Sequence, residues 1–182
     1  MTADADIRGR VEAVWTSPEE GAPMESRESV EAVEGGLRGD RYLLGTGYYS
    51  PYDVCQVTFV SAAAIREIRE ETGIDLSDGR HRRNIVVSVS DLRGLLETTF
   101  GVGEAQFRGT RPRPPCAHVE RVADEEGVAR ALGDGRGGIC ADVVTPGTVR
   151  TGDELEVVES DPRTEGRSII DRLRGEDGEN SA

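Results

Sequence analysis

The apolar stretches of this chain are short, and most of them alternate with polar residues, which restricts it to a domain built mainly from strands. Gly9-Arg10-Val11-Glu12-Ala13-Val14-Trp15 alternates and closes on the turn material Ser17-Pro18, and Ser29-Val30-Glu31-Ala32-Val33 repeats the pattern. Val54 to Val60 is a third β-rich run. Ser61 then caps a predicted helix from Ala62 to about Thr72, with Gly73 as its stop. Arg82-Arg83-Asn84-Ile85-Val86-Val87-Ser88-Val89 reads as basic residues leading into a strand, and further strands are expected over Glu104 to Arg108, Ile139 to Val144 and Glu154 to Val158, with a short turn or helix over Asp91 to Leu96. A helix is predicted from Ala117 to Leu132, interrupted by the glycines of Gly133 to Gly138. The expected fold is mainly β with a few helices, over residues 1–159, and residues 160–182 read as an acidic, mostly disordered tail.

Composition narrows the setting. The chain of 182 residues holds 35 acidic and 22 basic residues, a net charge of −13, and every basic residue is arginine. Two origins remain open: a high-salt cytoplasm, where a Debye length of roughly 3 Å at 1 M screens an acidic surface, or a mesophile that trades lysine for arginine. A net negative chain is not expected to bind nucleic acid or an anionic membrane, although local arginine clusters can hold a small anion. Apolar runs such as Ile85-Val86-Val87 fall far short of the ~20 residues of a membrane span. The N-terminus lacks the pattern of a secretory signal, so a cytoplasmic protein is expected. Cysteines at 55, 116 and 140 form no CxxC pair, which indicates neither a disulfide framework nor a zinc knuckle.

The most distinctive segment is Arg111-Pro112-Arg113-Pro114-Pro115-Cys116. Each proline fixes φ and removes a donor, so the segment presents its thiol from an extended or turning backbone. Guanidinium groups at Arg108, Arg111, Arg113 and Arg121 would favour the thiolate if they lie close in space. Two readings of Cys116 stand: a reactive thiol beside an anion site, or a small buried hydrophobe. A second group, Arg80, Arg82 and Arg83, precedes a strand, and it either joins the first around an anion or pairs with surface carboxylates. His118, two residues after Cys116, is a partner for it or an exposed histidine on a turn. Cys55 and Cys140 lie in apolar runs and read as core residues.

Absences exclude several chemistries. There is no GxSxG, no GxGxxG after a strand and no GxxxxGK[ST], and a chain without lysine cannot form a pyridoxal phosphate Schiff base.

The ordered motifs Gly36-Leu37-Arg38-Gly39-Asp40-Arg41, Gln56-Val57-Thr58 before a helix, Arg83-Asn84-Ile85-Val86-Val87, Gly101-Val102-Gly103, Pro112 to Cys116 and Gly152-Asp153-Glu154 resemble those of the MOSC domain, named for the C-terminal domain of molybdenum cofactor sulfurases. The resemblance spans about residues 9–158. It implies a β-barrel-like domain that binds a molybdenum–pterin cofactor. Cys116 would then be the catalytic residue, ligating molybdenum or carrying sulfur, with Arg82, Arg83, Asn84, Arg111 and Arg113 holding the cofactor. Where relatives often carry an acidic residue before the Asn-Ile-Val run, this chain has Arg82-Arg83. The implied activities are sulfur transfer or the reduction of N-hydroxylated compounds, with electrons or sulfur from a separate partner protein. The other class of function is a non-catalytic carrier of a pterin or of persulfide sulfur.

Overall fold

The structure, a computed structural model, describes residues 7–46, 55–114 and 117–158. The tail expected over 160–182 lies outside these residues, as does Cys116. Along the described chain run β1 (Arg8–Thr16), β2 (Glu25–Arg27), β3 (Ser29–Val33), β4 (Gly36–Leu37), α1 (Arg41–Leu44), β5 (Val57–Ser61), α2 (Ala62–Thr72) and β6 (Ile85–Val87). A 3-10 turn at Leu92–Leu95 follows, then β7 (Thr99–Val102), β8 (Ala105–Pro112), α3 (Ala117–Ala123), α4 (Val128–Ala131), β9 (Ile139–Thr145), β10 (Gly147–Arg150) and β11 (Glu154–Val157). The mainly β expectation holds.

Seven strands close into a barrel in the order β1, β11, β7, β8, β9, β5, β6, with β6 returning to β1. Closure removes the unpaired edges that an open sheet would present. Only β5 and β6 run parallel. A parallel pair needs a crossover, and α2 supplies it. Ser61 Oγ accepts from the Ala64 amide at 3.4 Å to start α2, and Gly73, at φ +79°, ends it, as the sequence predicts. A small sheet of β10, β3 and β4 lies beside the barrel.

Alternation along each strand decides what fills the barrel. All three phenylalanines of the chain, Phe59, Phe100 and Phe107, meet inside it, with ring centroids 5.2 to 6.0 Å apart and no exposed surface. Truncating any one would cost about 3–5 kcal/mol. Residues one step away point outward. Val60 and Val86 pack with Ile65 and Ile68 of α2 and with Val119, Val128 and Leu132 of the segment after β8. Thr58, Asn84 and Cys140 alternate with interior residues on β5, before β6 and on β9, which places them on this outer wall.

One expectation needs correction. The helix predicted over 117–132 is two short helices, because Asp124 at φ +52° and Gly127 at φ +95° leave the right-handed region between them. Glu120 Oε1 spans the break, accepting from the amides of Gly127 (2.9 Å) and Ala129 (3.2 Å). The basic residues expected to lead into a strand do so: β6 begins at Ile85, and Arg82 before it sits at φ +64°. Two strands lie beyond those expected from the sequence: β7, which contains Gly101 and Val102, and β10, which follows Pro146.

Candidate functional site

One buried carboxylate organises the region outside the barrel wall. Asp40 has no exposed surface and caps α1. Its Oδ1 accepts from the Ser17 amide, Arg41 Nη1 and Asn84 Nδ2, each at 3.1 Å, and its Oδ2 accepts from the Tyr42 amide at 3.3 Å. Asn84 is equally committed. Its Oδ1 accepts from the amide and the hydroxyl of Thr58, both at 3.0 Å, and its Nδ2 also donates to the Trp15 carbonyl at 3.1 Å. Two bonds accepted and two donated fill the capacity of a carboxamide. The residue expected to hold a cofactor thus makes all its side-chain bonds within the chain, where it locks β1, β5 and α1 together.

Around this carboxylate stand four guanidinium groups: Arg41, Arg82, Arg83 and Arg113, between 1% and 8% exposed. Arg41 pairs with Asp40 at 3.1 Å, donates through Nη2 to the Arg82 carbonyl at 3.0 Å, and lies 4.5 Å over the Tyr42 ring. Arg82 Nη1 donates to the Ala22 carbonyl. Arg83 donates through Nε to the Gly137 carbonyl at 2.7 Å and through Nη1 to the His81 carbonyl at 3.0 Å. Arg113 Nη2 donates to the Tyr42 hydroxyl at 3.0 Å. The Nη2 atoms of Arg82 and Arg83 are buried and have no hydrogen-bond partner among the described residues.

The electrostatics follow from that crowding. Burial, reinforced by Arg41, pulls Arg82 down to about 10, and burial, reinforced by Arg113, does the same to Arg83. His81, wholly enclosed, falls to about 3 through burial and then Arg83, so it is neutral, its Nδ1 accepting from the Arg83 amide at 2.8 Å. Among the described residues four buried guanidiniums share one buried carboxylate, and the two unpartnered Nη2 atoms belong to Arg82 and Arg83, so an entering anion would find donors waiting there.

Arg41, Tyr42, Arg82, Arg83, Arg113, Pro114, His118 and Val119 line one small cleft. His118 is neither on a turn nor fully exposed: it lies in α3 with 18% of its side chain exposed, 3.8 Å from Glu20, and burial lowers its basicity. Roomier clefts occur elsewhere. The one lined by Ser61, Glu67, Asp91, Arg93, Asp134 and Arg136 mixes both signs of charge and contains no buried unpaired donor among the described residues, so chemistry favours the smaller cleft.

Glycines let the walls approach. The chain at Gly137 presses on the Arg113 carbonyl and at Gly138, φ +87°, on that of Phe59, where a Cβ would overlap either oxygen. The Arg113 amide accordingly donates to the Gly138 carbonyl at 2.8 Å.

The two arginine groups foreseen in the sequence thus meet only through Arg82, Arg83 and Arg113. Arg80 pairs with Asp78 and Glu125, and Arg108 and Arg111 are exposed on β8, Arg111 opposite Cys140. The predicted cofactor role of Arg111 therefore finds it outside the cleft. Cys116 lies outside the described residues, and its neighbours Pro114 and His118 both line the cleft. Cys55 and Cys140 are buried, as foreseen, but on the outer wall rather than inside the barrel. Their mutual influence, with Arg113 and Arg111 adding to it, lowers Cys140 to about 6 and raises Cys55. Sequence reasoning gave no role to Asp40, Arg41 or Tyr42, although an Asp-Arg pair after a glycine is a helix-start signal that would have placed them.

A small closed barrel bearing a buried, cation-rich cleft on its outer wall is the class of domain these features define. The chain belongs to the MOSC domain family, whose model matches residues 49–156. Its fold is similar to that of the YuaD protein from Bacillus subtilis, at a TM-score of 0.70 and 22% identity, covering 85% of this chain and 98% of that one. It is also similar to YiiM from Escherichia coli (TM-score 0.60, 21% identity, 85% of this chain and 71% of that one). YiiM from Geobacillus stearothermophilus gives a TM-score of 0.64 at 13% identity, over 86% and 78% of the two chains. No curated protein matches the chain.

Proposed function

We propose that this protein binds a molybdenum–pterin cofactor through its phosphate in the arginine cleft, with Cys116 supplying the sulfur that ligates the metal or carries a transferable sulfur atom. The observation that carries this reading is the pair of buried Nη2 atoms on Arg82 and Arg83, unpartnered among the described residues and set in a cleft lined by four guanidiniums. A phosphate dianion supplies acceptors for those donors and offsets the excess charge, so the donor set fits the group. Arg41 is held by Asp40 and Arg113 by Tyr42, which orients both before a ligand arrives. When bound, the cofactor supplies two-electron redox chemistry at molybdenum. The chain itself binds and orients, and the positive cleft favours the thiolate of a cysteine placed beside it. Reduction of N-hydroxylated compounds is the proposed activity. Electrons or sulfur would come from a separate protein.

The test compares wild type with Cys116→Ser, both purified from a host that makes the cofactor, by elemental mass spectrometry for molybdenum and oxidation fluorescence for pterin. Near-stoichiometric metal and pterin in wild type, with metal lost in the variant, is the expected result. Both present and no turnover of N-hydroxy substrates would make the protein a carrier, and neither present in the folded wild type would remove the proposal.

A further inference from the structure

The arginine cleft is closed in this structure. Its volume is about 20 Å³, room for roughly one water molecule, and a tetrahedral oxyanion is several times larger. Part of its wall must therefore move. Arg83 is pinned by its bonds to the Gly137 and His81 carbonyls, and Arg41 by Asp40. The Arg82 side chain makes a single hydrogen bond among the described residues, from Nη1 to the Ala22 carbonyl, and its Nη2 is buried without a partner there. Arg82 is also the one residue that lines both this cleft and its larger neighbour, of about 250 Å³, where Pro23, Met24, Val122 and Ala123 form the apolar walls. Its side chain is the partition between the two.

The backbone of Arg82 is fixed separately, its carbonyl accepting from Arg41 Nη2 at 3.0 Å and its amide donating to the Gly79 carbonyl at 2.9 Å, so the side chain can swing alone. What it would leave behind is already provided for. Ser17 Oγ lies 3.0 Å from the Ala22 carbonyl and 2.9 Å from that of Glu19, so the Ala22 oxygen keeps a donor when the guanidinium departs. The loop 17–24, which joins β1 to β2, touches the cleft at two more points. Met24 Sδ accepts from Arg41 Nη1 at 3.5 Å, and the Glu20 carboxylate stands 3.8 Å from His118 Nε2. Away from the cleft the loop is tied to Thr46, whose Oγ1 donates to the Pro18 carbonyl at 2.7 Å and whose carbonyl accepts from the Glu20 amide at 3.1 Å.

We propose that Arg82 is a gate and the loop 17–24 its latch: an entering oxyanion draws the guanidinium off the Ala22 carbonyl, opens the small cleft into the larger one, and releases the loop. This rests on the anion-site reading above and adds how that site is regulated. A charged oxyanion is a stronger acceptor for a guanidinium than a carbonyl oxygen, and release of the loop also lets a carboxylate leave the neighbourhood of the anion. Because the closed form has no room for the anion, whatever holds the loop closed subtracts from affinity. Loosening the loop should tighten binding.

Thr46→Val removes the hydroxyl that holds Pro18 and alters no side chain of the cleft. Calorimetric titration with inorganic phosphate should give about two- to tenfold tighter binding in the variant than in wild type. Hydrogen exchange over 17–24 should quicken at least about threefold when phosphate saturates wild type, the reverse of the protection that a rigid site gives. Phosphate bound with equal or lower affinity by the variant, or exchange over 17–24 unchanged or slowed in wild type, would overturn the gate and leave the anion site standing. No phosphate binding to either protein would remove the anion-site reading, and the gate with it.

Discussion

Asn84 Nδ2 donates to Asp40 Oδ1 at 3.1 Å, joining two sequence motifs that lie 44 residues apart. This contact explains why both motifs belong to one site although neither side chain needs to touch a ligand. Asp40 balances Arg41 and, with Asn84, fixes α1 against the barrel wall, and α1 carries Arg41 and Tyr42 into the cleft.

Asp40→Ala should therefore be among the most damaging single changes. It leaves Arg41 without its carboxylate and removes the acceptor of two backbone amides, at a cost of about 3–5 kcal/mol. For a chain of this size that corresponds to a fall in Tm of roughly 10 °C, read by circular dichroism. Millimolar sulfate or phosphate should restore part of it.

Asn84→Ala separates structural from ligand roles. Loss of a saturated amide behind β5 should lower the stability of the ligand-free protein by about 1–3 kcal/mol. If Asn84 served only a ligand, denaturant melts of the ligand-free protein would be unchanged.

Arg83→Met should behave in the opposite way to an ordinary buried substitution. Burial and Arg113 pull the guanidinium down to about 10, roughly 3 kcal/mol of unfavourable charge, which offsets the lost bonds to Gly137 and His81. Ligand-free Tm should stay within about 2 °C of wild type or rise, while anion affinity falls at least about tenfold. A Tm drop of about 8 °C or more would contradict the assignment of excess charge.

His81 sets an acid limit. Its folded pKa of about 3 lies below the unfolded value of 6.5, so the unfolded chain binds the extra proton and stability declines as pH falls from about 6.5 towards 3. The decline attributable to this residue is roughly 4 kcal/mol. In His81→Gln, urea midpoints measured between pH 6.5 and 4 should fall less steeply than in wild type.

Much of the barrel was legible because alternation reports burial directly: Gly9 to Trp15 and Ile139 to Val144 read as strands and are strands. β7 and β10 escaped because glycines at 101 and 147 imitate turns, and only pairing with β8, β11 and β3 makes them strands. The cleft was half legible. Arg82, Arg83 and Arg113 stand out in a chain where basic clusters are few, but nothing local distinguishes them from Arg80 or Arg108, which the fold turns toward surface carboxylates or solvent. Arg41 stands in a recognisable motif, but its place in the cleft was not legible because its partner, the Arg82 carbonyl, is 41 residues away and arrives only when the barrel closes. For Asn84 the converse holds: a carboxamide looks free in a sequence, and only the structure shows Thr58, Trp15 and Asp40 using every bond it can make.

The most direct test uses the fluorescent oxidised pterin that keeps the cofactor's phosphate, beside the same pterin after phosphatase treatment. Each is titrated into wild type and Arg83→Met while anisotropy is followed. Tight binding of the phosphorylated form to wild type alone, with at least about tenfold weakening on removing either the phosphate or the guanidinium, is the predicted result. Equal binding of the two pterins to wild type would contradict a phosphate site built from Arg41, Arg82, Arg83 and Arg113.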